Sequence, residues 1–216
     1  MAAERGGAHR IELCAHLRVG GVTPAEWLMR RVRELVQVPI FVMIRPRAGD
    51  FVYSDAELTQ MRDDIEMAKG LGMDGIVCGV LTRERLVDVE HTRELVEIAR
   101  PLPFTFHRAF DDVTDLDAGL EDVIKVGAAR ILTSGGAASA PAGIERLAHL
   151  VEAVRDRIII VPGGGINASN ALHVVRQTGT RELHSGLGSV LAYGQEDYDL
   201  FEGEVRKLAI QLTSVT

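Results

Sequence analysis

Short apolar runs alternate with longer segments of helical period along the whole chain, and that alternation leaves few folds open. The runs are RIELC at 10–14, PIFVMIRP at 39–46, DGIVCGVL at 74–81, PFTFHRAF at 103–110, ARILTSG at 129–135, RIIIVPGGG at 157–165 and the weaker RELHSG at 181–186. Between them lie 23–36, 54–71, 88–99, 115–127, 143–156 and 167–179, with 197–212 last, each carrying apolar residues three and four apart. Thr23 with Pro24 and Glu26, and Ser54 with Glu57, read as helix starts; Gly70 or Gly72, Gly127 and Gly179 stand where helices end in a left-handed residue. Strand and helix in alternation, with nearly continuous apolar strands, specify a parallel sheet covered on both faces. No glycine-rich dinucleotide turn follows the first strand, so the expectation is an α/β TIM (β/α)8-type barrel as a single domain over 1–216. Eight strands close such a barrel. Seven predict an incomplete one lacking the first strand, with AAERGGAHR reading as the tail of a helix that runs into the second.

Side chains alternate between lumen and helix layer along a barrel strand. On 104–110 that parity puts Phe104, Phe106 and Phe110 toward helices and Thr105 and His107 inward. On 40–47 it puts Val42 and Ile44 outward and Met43, Arg45 and Arg47 inward, and on 10–14 it leaves Glu12 and Cys14 inward. Glu12, Arg45, Arg47, His107 and Arg108 therefore gather at C-terminal strand ends, where barrels carry their active sites. Arginines there offer bidentate recognition of a carboxylate or phosphate, with Asp50 beside them, and His107 is the natural proton shuttle, joined by Glu12 and Asp111 as acid–base candidates. The same residues also fit a buried ion network that fixes register without turnover.

PGGGINASN at 162–170 and HSGLGS at 184–189 form a second constellation. Gly163, Gly164 and Gly165 let backbone N–H groups approach an anion, His184 lies on the neighbouring loop, and a tight strand-to-helix turn is the plainer reading of the triplet. Thr133 and Ser134 in LTSGG either donate to a ligand or cap the following segment. A formal charge of −7 without a basic cluster argues against nucleic acid, and a small anionic ligand is the expected partner. No stretch approaches the roughly 20 apolar residues of a membrane span, and two cysteines suit a reduced, cytoplasmic protein. Neither a G-x-S-x-G elbow nor H-E-x-x-H or C-x-x-C occurs.

RIELC with GGVTP shortly after, then MIRPRAGDFVYSDAEL, TFHRAFD, RILTSG and PGGGI in that order, resemble the CutC family over about residues 4–186. The resemblance implies a TIM-barrel fold and a cytoplasmic protein linked to copper homeostasis, with copper binding proposed for some members and no settled reaction. The alternative is an enzyme acting on a small anionic or phosphorylated metabolite through His/Glu acid–base chemistry. Cu(I) prefers soft donors, which here means Cys14, Met43 and Cys78, although each cysteine also reads as a small buried hydrophobe. Relative to the family, the chain lacks an upstream strand, and the loop after His184 is shortened to GLGSVLAYGQEDY. Unpaired strand edges would then need covering, so a homo-oligomer is expected.

Overall fold

The computed structural model of the chain describes residues 1–188, 190 and 197–213. Six parallel strands stand in chain order in one curved sheet: β1 (Ile11–Leu13), β2 (Ile40–Met43), β3 (Gly75–Cys78), β4 (Phe104–Phe106), β5 (Arg130–Thr133) and β6 (Ile159–Pro162). Helices α1 (Ala2–Arg5), α2 (Glu26–Leu35), α3 (Asp55–Gly70), α4 (Val89–Ala99), α5 (Leu116–Lys125), α6 (Ile144–Val154), α7 (Ala171–Thr178) and α8 (Tyr198–Thr213), with short 3-10 turns at Leu17–Val19, Arg108–Asp112 and Ala140–Gly143, complete the described elements. This is the incomplete TIM-type barrel that the alternation predicts, as a half-barrel of six strands.

The seventh expected strand, 181–186, does not form. Its backbone makes one sheet-like bond, from His184 N–H to the Pro162 carbonyl at 3.0 Å, and Leu183 is the one aliphatic residue it offers. Charge holds this segment instead. Glu182 accepts from Arg10 at 2.7 Å and from Arg130 Nε at 3.0 Å, and both guanidinium groups stack on Phe41 at 4.9 and 5.5 Å from the ring centroid. The contact ties the approach to β1 to the start of β5 across the lumen floor. Outside it, α1 packs on α8 with Arg5 paired to Glu202 at 2.6 Å.

Parity holds within the strands, although Arg47, beyond the end of β2, and Cys78, a candidate for the inward soft-donor set, do not face the lumen. Ile76, Cys78, Phe104, Phe106, Ile131 and Ile160 join the core under the helices, whereas Phe41, Met43 and Val77, with Cys14 packed against them, form a separate cluster on the lumen side. Ser54 and Glu57 form a full capping box on α3. Thr23 does not cap α2, which starts at Glu26; its hydroxyl accepts from Arg45 N–H at 2.9 Å, fastening the loop after β1 to the end of β2. Among the described residues no helix is long and apolar enough to cross a membrane.

Candidate functional site

The expected site residues divide into three groups around the C-terminal rim. The first follows β2 and β4. Arg45 is 5% exposed, and its guanidinium donates to the carbonyls of Val19 (2.8 Å), Gly21 (3.0 Å) and Gly49 (2.8 Å) while lying 4.8 Å over the Phe51 ring. It clasps two loops, which leaves little of it for a ligand. Arg47 is not in the lumen: it pairs with Glu57 of α3 at 2.6 Å and with Asp50 at 2.9 Å, so Asp50 too is engaged on the outer rim. Thr105 and His107 face the lumen at 4% and 3% exposure. His107 Nδ1 accepts from Ala109 N–H at 3.2 Å, which in a neutral ring places the proton on Nε2. Burial, with Arg45 adding to it, pulls the His107 pKa down to about 3. The expected proton shuttle is thus a fixed neutral donor.

The second group is built by the turn after β5. Asp111 accepts from Thr133 Oγ1 (2.5 Å), Ser134 N–H (2.9 Å), Gly136 N–H (3.0 Å) and Arg108 Nε (2.7 Å). Its lone pairs are committed to the turn, so it holds geometry and is not free as a general base. Ser134 Oγ accepts from Arg108 Nη2 at 3.0 Å, so the two bonds fix the guanidinium plane. That plane lies over the glycine loop after β6, where a Cβ on Gly164 would come 3.2 Å from Arg108 Cζ. Gly164 has φ +93°, which glycine adopts at little cost and other residues rarely do. Arg108 Nη1 has no partner among the described residues and its side chain is 43% exposed. A fixed guanidinium beside bare backbone can receive an anion.

The third group closes the seam between β1 and the 181–186 segment. His184 Nδ1 lies 3.7 Å from Glu12 Oε2, a loose pair with Glu12 mostly buried, and His184 stands against Gly163. Cys14 is near: burial, helped by Glu12, pushes its thiol up to about 11. A point beside Gly21 lies 3.0 Å from Cys14 Sγ and 3.6 Å from Met43 Cε, so these two soft donors adjoin. Cys78 does not belong with them. It packs fully buried in the helix-facing core, and burial pushes its thiol up to about 12. Parity along β3 turns Val77 inward and Cys78 outward. The three expected copper ligands therefore do not converge, and among the described residues no group of three or more His, Cys, Asp or Glu side chains gathers as a metal would need. A closed dithiolate Cu(I) site does not fit this arrangement.

Parity could not show two residues that shape the rim. Gly79 makes room for the imidazole, since a Cβ there would come 2.7 Å from His107 Nδ1. Phe51 packs its ring 4.9 Å from that of His107 and also lines a cleft of about 500 Å³ with Leu81, Thr82, Arg83 and Arg85, between the loops after β2 and β3. Residues 189 and 191–196 of the shortened loop lie outside the described residues.

A family model described as CutC family matches residues 1–189. A human protein described as a copper homeostasis protein cutC homolog is 46% identical over 194 residues, spanning 90% of this chain and 71% of its own length. Its mouse counterpart is 48% identical over 182 residues, spanning 84% and 67%. The crystal structure of the copper homeostasis protein CutC from Streptococcus agalactiae superposes with a TM-score of 0.78 at 35% identity, over 82% of this chain and 87% of that one.

Proposed function

This chain belongs to the CutC family, and on that premise we propose that it serves copper homeostasis by binding a small anionic metabolite at the barrel mouth and not through a thiolate copper centre. The observation that carries the reading is Arg108, fixed by Asp111 and Ser134 over Gly164, with its side chain 43% exposed and Nη1 without a partner among the described residues. Gly164 is the glycine whose backbone lies against that guanidinium, since the Gly163 N–H is spent on the Thr133 carbonyl at 2.9 Å and Gly165 lies against Ser139; an anion bound there would meet the guanidinium and the loop together. Glu12, mostly buried beside His184, would be the carboxylate that exchanges a proton with such a ligand. Phosphate titrated into the protein calorimetrically should bind, and Arg108→Ala should weaken it roughly 10- to 100-fold, the loss of a charge-assisted bond. Equal affinity in the variant would remove the reading.

Copper itself enters through a second reading, favoured only by the adjacency of Cys14 and Met43. Two soft donors, one a thiol that must lose its proton, would bind Cu(I) weakly at neutral pH. Cu(I) competition under reducing conditions should show Cys14→Ser abolishing whatever uptake exists and Cys78→Ser leaving it within about two-fold, since Cys78 is sealed in the opposite layer. Loss of uptake in Cys78→Ser would reverse that assignment.

A further inference from the structure

Thr105 Oγ1 and His107 Nε2 are buried and have no hydrogen-bond partner among the described residues, and Arg45 Nε shares that state. A buried polar group left without a partner is costly, so each such atom invites a ligand or solvent acceptor. Here they are grouped. Met43 pairs with Val77, and His107 N–H bonds the Cys78 carbonyl, so extending the register places Arg45, Gly79 and His107 in one row across three adjacent strands. The middle position carries no side chain. Thr105 sits one step below His107 on the same face, about 6.6 Å along the strand. Charge is the second observation: Arg45 is a buried cation whose neighbours are three carbonyls, an aromatic ring and the Tyr53 hydroxyl, and no carboxylate pairs with it among the described residues. Buried charges are ordinarily compensated.

We propose that the lumen face of β4 is a carboxylate subsite, in which the Nε2–H of His107 and the hydroxyl of Thr105 donate to the anionic oxygens of a small ligand lying in the field of Arg45. The inference rests on the mouth reading in taking a small anion as the ligand, and it adds that an acidic group of that molecule is held inside the lumen. The imidazole N–H only donates, the Thr105 hydroxyl can donate, and Arg45 supplies positive charge, so a carboxylate, which accepts only and is anionic, answers all three, whereas an ammonium is repelled and a neutral amide leaves the charge unbalanced. Neutrality of the imidazole fits the same chemistry, because the ligand then balances the charge of Arg45 without having to displace a second cation. Phe51, which separates His107 from the 500 Å³ cleft, is the wall past which the ligand would reach the donors.

The test is a titration of the full chain with acetate, and separately with acetamide, followed on the ¹H–¹⁵N signals of the histidine rings. Acetate should move the His107 Nε2–H resonance and acetamide should leave it in place, and Thr105→Val, which keeps the shape and removes the donor, should weaken the acetate response roughly ten-fold or more. No acetate response, an equal response to acetamide, or an unweakened Thr105→Val protein would each overturn the subsite. The wild-type titration decides even if the variant folds poorly. Arg108→Ala separates the two readings: acetate still felt at His107 in that variant sustains the subsite whatever becomes of phosphate, and Arg108-dependent phosphate binding without an acetate response overturns the subsite alone.

Discussion

Asp111→Ala should lower stability by about 3–5 kcal/mol, read by urea unfolding as a fall in midpoint with little change in slope. The carboxylate is 9% exposed and accepts from the Thr133 hydroxyl, the Ser134 and Gly136 N–H groups and Arg108. Truncation leaves the fully buried Thr133 hydroxyl and Ser134 N–H short of an acceptor, which is where the cost arises, while the exposed Gly136 N–H can turn to water. Anion binding should fall with stability, because Arg108 loses one of the two bonds that hold it over Gly164. Arg108→Ala is the counterpart that separates these effects. Its side chain is 43% exposed, so its removal should cost under about 1 kcal/mol while taking most of the phosphate affinity with it. An Asp111→Ala protein as stable as the wild type would mean that the turn is held by other contacts.

Among the described glycines, Gly143→Ala should be the most damaging added methyl, costing about 3 kcal/mol by the same measurement. A Cβ at Gly143 would overlap the Ser134 carbonyl oxygen and approach the carbonyl carbon at 3.1 Å and Ala137 Cβ at 3.2 Å. The opposing oxygen belongs to the backbone of the turn that Asp111 organises, so no rotamer change relieves the clash. Either the start of α6 or the 134–137 turn has to move. Gly70, with nothing within 4 Å of its would-be Cβ, is the control, and alanine there should be near neutral or slightly stabilising.

Most of the architecture could be read from spacing. Period two put Phe104 and Phe106 under the helices and Thr105 and His107 in the lumen, because a strand offers only two faces and the core takes the aromatic one. The same rule, applied to DGIVCGVL, assigns Cys78 to the helix side through its offset from Val77, which separates its sulfur from Cys14 and Met43. Arg47 shows a different limit. The ladder continues through Ile44 and carries Arg45 inward, but beyond it the chain turns toward α3, so Glu57 and not the lumen receives the Arg47 guanidinium. RELHSG failed as a strand for a third reason: two arginines drawn from distant segments, Arg10 and Arg130, hold Glu182, and no local pattern announces a partner 172 residues away. The commitment of Asp111 to four donors was equally hidden, since those donors come from a turn more than twenty residues downstream or from the neighbouring helical turn.

Native mass spectrometry of the full chain prepared under reducing conditions, with and without one equivalent of Cu(I), bears most directly on how this family member works. The account predicts a small anion retained by, or readily added as phosphate to, each chain, lost in Arg108→Ala, with copper no more than weakly held. One tightly bound copper ion per chain, together with no anion in either preparation, would contradict it.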